Sequence, residues 1–173
     1  MKKTLMAGAF CALLTGTSLF AAPMPLDGTW IKLDEVAKAP FFFSGGPWTW
    51  NVAYDVKLTV TDWAAVTDQF SIYDNGLFVF STSNLPDDPG GVWMGDPDAA
   101  LASGLFSNGS WIFDGGVAHS IMIEDTHIPI MAIGAGPYAD GTVAFKAEAV
   151  PDVASTLMLL GVGLLVLVRR RRS

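Results

Sequence analysis

The stretch of sequence that decides the fold reads Trp48-Thr-Trp-Asn-Val-Ala-Tyr-Asp-Val-Lys-Leu-Thr-Val60. Apolar and polar side chains alternate along it, and many of the apolar ones are aromatic or β-branched. This period of two predicts a β-strand with one buried face. Because strands are usually about five or six residues long, we expect either a bend within the stretch or two consecutive strands. The residues of the expected buried face are Trp48, Trp50, Val52, Tyr54, Val56, Leu58 and Val60.

A compact hairpin is predicted next along the chain. Residues 69–73 and 77–80 are rich in aromatic and aliphatic side chains, and Asp74-Asn75-Gly76 separates them. Asparagine followed by glycine is the turn chemistry that left-handed backbone positions require.

A second hairpin is predicted by the same pattern. Asp114-Gly115-Gly116 separates residues 111–113 from residues 117–123, and glycine again favours a tight turn. A final strand is expected over residues 142–148, where apolar residues again alternate with polar ones.

These elements favour an all-β fold. No stretch between residues 23 and 149 shows a convincing period of 3.6, although residues 96–105 are compatible with one short helix. Six or more short strands on one chain predict an antiparallel β-sandwich. We expect a jelly-roll-like or galactose-binding-like topology.

Composition excludes several classes of protein. Of the 173 residues, 51% are hydrophobic and 16% are charged, so the chain is too apolar to be disordered. The net charge of −7 argues against a nucleic-acid-binding protein. The single cysteine, Cys11, excludes a disulfide framework and a multi-cysteine zinc site.

The N-terminal residues 1–22 have the pattern of a secretory signal peptide. Lys2 and Lys3 precede an apolar stretch over residues 5–20, and small alanines follow at the expected cleavage site, Ala21 or Ala22. Cleavage by signal peptidase there would remove the only cysteine.

The C-terminal residues have the pattern of a membrane anchor. Residues 153–168 carry no charge and no polar face, which favours a transmembrane helix over an amphipathic core helix. A basic tail over residues 169–173 follows and is expected to stay on the cytoplasmic side. Its cations are Arg169, Arg170, Arg171 and Arg172. The body between the two ends, residues 23–149, holds 16 acidic and four basic residues, a net charge of −12.

The C-terminal order of motif, helix and basic tail resembles the PEP-CTERM protein-sorting signal. Here the motif spans residues 150–156 and begins Val-Pro-Asp, as in a variant of the usual Val-Pro-Glu-Pro core, with a Ser/Thr pair after it. The residues that carry the resemblance are Val150, Pro151, Asp152, Ser155 and Thr156.

This resemblance implies a route for the chain. An exosortase, a membrane protease-transpeptidase, would recognise the motif after the helix has anchored the chain transiently in the inner membrane. The body would then reach the cell surface or the extracellular space. A single-pass tail anchor without processing is the alternative.

The body itself is similar to a recurring β-sandwich domain of bacterial PEP-CTERM and related secreted proteins. The similar segments are residues 60–76, 96–100 and 119–124. The chain departs from that pattern at Thr67-Asp68, where a glycine usually precedes the aspartate. The resemblance implies fold and compartment and no activity.

Candidate catalytic residues are few. The body has no G-x-S-x-G elbow and no cysteine. His119 falls on an apolar strand face and is expected to be a core or edge histidine rather than a base. His127 is the only other histidine, so a two-histidine metal site has little support. Glu124 and Asp125 are neighbours on a strand and point to opposite faces, which makes them a poor carboxylate pair.

One acidic loop is a candidate ligand site. Its carboxylates are Asp87, Asp88, Asp96 and Asp98, and oxygen ligands of this kind suit calcium. No D-x-D-x-D-G spacing is present, so a solvated acidic loop is the alternative. Trp93 lies in the same loop and is a better candidate for stacking on a sugar than Trp48 or Trp50, which are expected in the core.

Taken together, the sequence predicts an exported bacterial cell-surface or extracellular-matrix protein that is non-enzymatic and associated with exopolysaccharide. A carbohydrate- or calcium-binding module on the cell surface is the alternative. We expect no resident cofactor and no nucleic-acid partner.

Overall fold

The computed structural model describes residues 21–37, 40–64, 68–83, 92–127 and 139–151. This part of the chain forms an all-β sandwich of two sheets with one short helix. Residues 1–20 of the expected signal peptide and the expected transmembrane helix lie outside the described residues, whereas Ala22, the last residue of the expected signal peptide, belongs to a strand of the sandwich. Within the described ranges, no helix is both long enough and apolar enough to cross a bilayer.

Six strands form the first sheet. They are β1 (Ala22–Pro23), β3 (Phe41–Phe42), β4 (Trp48–Asn51), β6 (Gln69–Asp74), β7 (Leu77–Ser81) and β9 (Ala118–His127). Their order is β1-β4-β9-β6-β7, and β3 pairs with β9 outside this path. All these pairings are antiparallel except that of β1 with β4.

Four strands form the second sheet, which is antiparallel throughout. They are β2 (Ile31–Ala37), β5 (Val56–Asp62), β8 (Asn108–Phe113) and β10 (Ala139–Ala149). Their order is β2-β10-β5-β8. Across the two sheets, strands pair from both ends of the chain inward: β2 with β10, β4 with β9, β5 with β8 and β6 with β7.

The stretch from Trp48 to Val60 forms two strands that lie in different sheets. Trp48 and Trp50 belong to β4, while Val56, Leu58 and Val60 belong to β5. All five are buried, so both strands turn the same alternating face towards the space between the sheets. Of the two alternatives, that of two consecutive strands is therefore confirmed, and the connection between them carries the chain from one sheet to the other. Tyr54 lies in this connection and is 44% exposed, so its expected place on the buried face is wrong.

Apolar side chains from both sheets fill the core. Phe145 of β10 is fully buried, and its ring centroid lies 4.5 Å from that of Trp48 in β4. The other large side chains of this core that are fully buried are Phe70, Leu58, Ile72, Ile121 and Ile123. Burial of such side chains is the main favourable contribution to folding.

The first predicted hairpin is confirmed. Strands β6 and β7 pair in antiparallel register around Asn75 and Gly76. Asn75 has φ 51° and Gly76 has φ 79°. Two consecutive positive φ angles are the geometry of the tight turn that matches strand twist.

The second predicted hairpin is wrong. Strand β8 pairs with β5 in the second sheet, whereas β9 pairs with β3, β4 and β6 in the first. The turn between them therefore crosses the sandwich. It packs against the crossing from β4 to β5: the Gly115 amide donates to Asp55 Oδ1 (2.9 Å), and the Gly116 amide donates to the Val52 carbonyl (2.6 Å).

The final strand is confirmed and is longer than predicted. Strand β10 covers Ala139–Ala149 and lies between β2 and β5. Its partner β2 was not predicted from the sequence. At the other end of the body, Met24 is buried in the core, and its amide donates to the Thr49 carbonyl (3.0 Å).

The one described helix, α1, spans Pro97–Ser103 within the region compatible with a helix. Asp96 caps its N-terminus by accepting a hydrogen bond from the Asp98 amide (2.9 Å), and Gly104 ends it with φ 68°. Ala100 and Phe106 are fully buried in a small second cluster beside the main core.

Candidate functional site

In the described part of the predicted acidic loop, the carboxylates of Asp96 and Asp98 do not converge on a common point. The Asp96 side chain caps helix α1, and Asp98 Oδ1 accepts from Lys146 Nζ at 3.2 Å. Asp87 and Asp88 lie outside the described residues. Among the described residues, no cluster of three or more histidine, cysteine or acidic side chains is arranged to hold a metal ion.

Asp98 belongs to a small charged and aromatic cluster. Lys146 Nζ lies 4.4 Å from the centroid of the Trp30 ring as well as beside Asp98. The Trp30 indole N–H and then the Lys146 ammonium lower the pKa of the Asp98 carboxyl below its ordinary value. Trp30 Nε1 has no partner in hydrogen-bonding geometry among the described residues, so the Lys146 pair is the firmer contact. This cluster holds α1 to the outer face of the second sheet.

Trp93 lies at the surface, where a ligand could contact its ring. Its side chain is 74% exposed, whereas Trp48 and Trp50 are buried as predicted. Trp63 lies nearby in the second cluster and is only partly buried, with Lys32 Nζ 4.7 Å from its ring centroid.

The predicted sorting motif begins where the described sandwich ends. Strand β10 stops at Ala149, and the Val150 amide donates to the Asp55 carbonyl at 2.9 Å. Pro151 follows and is exposed. The remaining predicted residues of the motif and the tail lie outside the described residues: Asp152, Ser155, Thr156, Arg169, Arg170, Arg171 and Arg172.

His119 is a hydrogen-bonded histidine of the interior. Its Nδ1 lies 2.8 Å from Asp74 Oδ2, and its Nε2 lies 3.0 Å from the Asp114 carbonyl oxygen. The ring also packs against Trp50 and Phe113, with centroids 5.2 Å and 5.1 Å away. These contacts fit the structural role predicted for it, and they link the β6–β7 turn to the β8–β9 turn.

The neighbouring carboxylates Glu124 and Asp125 point to opposite faces of β9, as expected. Asp125 is fully buried on the inner side. Glu124 lies on the outer side, where its Oε2 accepts from the Tyr73 hydroxyl at 2.7 Å. They do not form a glycosidase-type pair.

A row of aromatic side chains that sequence reasoning missed lies on the outer face of the first sheet. We call Phe42, Tyr73 and Phe78 the aromatic row. The Tyr73 ring centroid is 5.6 Å from that of Phe42 and 5.9 Å from that of Phe78, both in edge-to-face contact. Phe42 is 45% exposed and Phe78 is 58% exposed.

Polar side chains lie beside the aromatic row on the same face. Cross-strand register places Glu124 opposite both Phe42 and Ser71, and Ser71 opposite Ser81. The hydroxyls of Ser71 and Ser81 are 3.0 Å apart. The hydrogen bond to Glu124, the larger cause, and burial raise the pKa of the Tyr73 hydroxyl above its ordinary value.

The sequence carries only a faint signal for this face. Phe41-Phe-Phe43 and Leu77-Phe-Val-Phe80 are apolar at every position, so alternation does not show which ring points outward. The two segments are also far apart along the chain, and β9 and β6 bring them together.

The chain matches no protein-family model, no curated protein and no solved structure.

Proposed function

We propose that this chain is an exported, non-enzymatic bacterial cell-surface or matrix protein that an exosortase sorts through its C-terminal signal. The observation that carries the proposal is where the sandwich stops. The two predicted targeting segments flank it, and among the described residues Val150, directly after β10, still donates a backbone hydrogen bond to the body. Removal of the C-terminal segment would take no side chain from the described core, and removal of residues 1–22 would take only Ala22, which is partly buried against it.

The proposal also explains how the motif would be reached. Pro151 is exposed directly after β10, and a residue that precedes proline favours extended backbone. An extended, accessible segment beside the membrane suits recognition by a membrane-embedded protease.

The test is to express the full-length chain in a bacterium that possesses an exosortase and to analyse the surface fraction by mass spectrometry. We expect peptides of the body without peptides from residues 157–172. The Pro151→Ala variant should keep its C-terminal peptides and stay in the inner-membrane fraction. Intact C-terminal peptides in the surface fraction of the unaltered chain would contradict processing, and retention of that chain in the inner-membrane fraction would favour the simple tail anchor.

We further propose that the sandwich has a jelly-roll topology. Its support is the pairing of strands from both ends of the chain inward, from β2 with β10 to β6 with β7. A long antiparallel hairpin rolled into two sheets has this connectivity, and jelly rolls carry eight strands in two sheets.

The alternative function, a carbohydrate- or calcium-binding module, is favoured at the predicted loop only by Trp93. Its exposed indole suits a sugar, whereas the described aspartates are engaged as a helix cap and in an ion pair. Titrations with calcium and with soluble glycans, followed by tryptophan fluorescence, test this. A calcium-dependent rise in melting temperature would favour the metal, and no response to any ligand would exclude the loop.

A further inference from the structure

We propose that the outer face of the first sheet binds a neutral polysaccharide chain through the aromatic row and the polar side chains beside it. The proposal rests on the proposed surface function in one respect: export to the cell surface brings the protein into contact with a polysaccharide. Its site is separate from the loop that holds Trp93.

The cross-strand register arranges the outward-facing side chains of this face in two adjacent rows, which we call lanes. Both lanes run across β6 and β7. The first lane consists of Glu124 on β9, Ser71 on β6 and Ser81 on β7. Phe42 of β3 lies at its end, opposite Glu124. Tyr73 and Phe78 align in the next, opposite each other on β6 and β7. Neighbouring strands lie about 4.8 Å apart, so each lane repeats on the scale of single sugar units.

The chemistry of the lanes matches that of a sugar ring. One face of a pyranose presents C–H groups, which are attracted to the electron-rich face of an aromatic ring. Its hydroxyls require hydrogen-bond partners, which the exposed Ser81 hydroxyl and the Glu124 carboxylate supply, while the buried Ser71 hydroxyl positions Ser81. Phe42 and Phe78 are the accessible rings, and Tyr73 lies between them, tied through its hydroxyl to Glu124.

The negative charge of the body favours a neutral polysaccharide over an acidic one. The body carries a net charge of −12, and the six strands of the first sheet contain no lysine or arginine. Such a surface repels acidic polysaccharides, nucleic acids and anionic membranes. A neutral polysaccharide meets no such repulsion.

The exposed apolar area is too small for a second copy of the chain. An aromatic side chain buries roughly 150–250 Å² when fully covered, and Phe42 and Phe78 are only about half exposed. The aromatic row thus offers on the order of 300 Å², against roughly 800 Å² per partner in a standard protein interface.

The test uses the full-length chain in a polyoxyethylene detergent, which has no sugar head group. Calorimetric titrations use the neutral polysaccharides hydroxyethylcellulose, dextran and galactomannan, with alginate as the acidic comparison. We expect binding to at least one neutral polysaccharide, and weaker binding to alginate that Phe78→Ala does not change, because the full-length chain keeps its basic tail. Phe78→Ala and Phe42→Ala should each weaken that binding about tenfold, as for an aromatic hot spot, while Phe78→Tyr should retain it.

Two matched controls make the result specific. Leu77 precedes Phe78 and is 74% exposed, so Leu77→Ala removes a neighbouring apolar side chain outside the aromatic row. Trp93→Ala removes the aromatic ring of the other candidate site. Both should bind as the unaltered chain does.

The proposal is overturned if no neutral polysaccharide binds, if alginate binds more tightly than the neutral chains, or if Phe78→Ala binds normally. It is also overturned if Leu77→Ala loses as much affinity as Phe78→Ala. None of these outcomes bears on C-terminal processing, so the sorting proposal stands or fails separately.

Discussion

Tyr73 contacts both the exposed aromatic rings and the carboxylate on the outer face of the first sheet. Its ring lies between Phe42 and Phe78, and its hydroxyl donates to Glu124 Oε2 at 2.7 Å. Losing the phenolic proton would break this hydrogen bond and place two negative charges side by side. The raised pKa of Tyr73 is the electrostatic signature of that contact.

We predict that Glu124→Gln lowers the pKa of Tyr73 towards its ordinary value, because a neutral amide still accepts the hydrogen bond but no longer repels the phenolate. Ultraviolet titration of tyrosinate absorbance measures the shift. The chain has three tyrosines, so Tyr73→Phe identifies which transition belongs to Tyr73. An unchanged transition in Glu124→Gln would contradict the contact.

The same group predicts how stability depends on pH. A pKa that is raised in the folded state adds stability below the unfolded value of about 10 and loses it as pH rises through the folded value. The unaltered chain should therefore lose stability relative to Tyr73→Phe above about pH 10. Denaturant unfolding at several pH values checks this.

At the scale of elements, two connections between the sheets hold each other. The turn from β8 to β9 packs against the link from β4 to β5 through backbone contacts of Gly115 and Gly116. A Cβ atom at Gly115 would lie 2.6 Å from the Tyr54 carbonyl carbon and 2.7 Å from the Ala53 carbonyl oxygen. Only glycine allows this approach.

We predict that Gly115→Ala lowers the free energy of unfolding by about 1–3 kcal/mol, the usual cost of overpacking. Gly95→Ala is the matched control, since a Cβ there meets nothing within 4 Å. It should leave stability unchanged or slightly raised. Equal effects of the two substitutions in urea denaturation would contradict the contact between the connections.

Helix α1 depends on its cap because it is only seven residues long. We predict that Asp96→Ala costs about 1 kcal/mol and speeds amide exchange within residues 97–103, because the Asp98 amide loses its acceptor. Asp96→Asn keeps a capping oxygen and should restore stability. Failure of asparagine to rescue would point instead to a role for the carboxylate charge.

At the scale of the whole molecule, the two sheets are joined by one core. Phe145 is fully buried in β10, and its ring centroid lies 4.5 Å from that of Trp48 across the sandwich. A contact of this kind couples the two sheets, since neither can bury its apolar face without the other.

We predict that Phe145→Ala costs about 3–5 kcal/mol and that both sheets still unfold together. Near- and far-ultraviolet circular dichroism should therefore give coincident thermal transitions. Val117→Ala, at an exposed position, should change stability by less than about 0.5 kcal/mol. Separate transitions in the unaltered chain would show that the sheets are independent.

The sequence was sufficient wherever a feature depends on neighbouring residues. Alternation from Trp48 to Val60 predicts the two strands and the face that each buries, but not the exposure of Tyr54 in the connection between them. Asn75-Gly76 predicts the β6–β7 turn. Export and sorting are also read from the local composition of the two ends, and they stay predictions. The exposure of Trp93 and the burial of Trp48 also follow from local context.

Only the tertiary structure decides which sheet each strand joins. Asp114-Gly115-Gly116 has the composition of a hairpin turn. It nevertheless joins the two sheets, because β8 pairs with β5 whereas β9 pairs with β4 and β6. Period two is the same in either sheet, so it carries no information on partners. The aromatic row has the same origin. Phe42 and Phe78 lie side by side because long-range strand pairing brings distant segments onto one face.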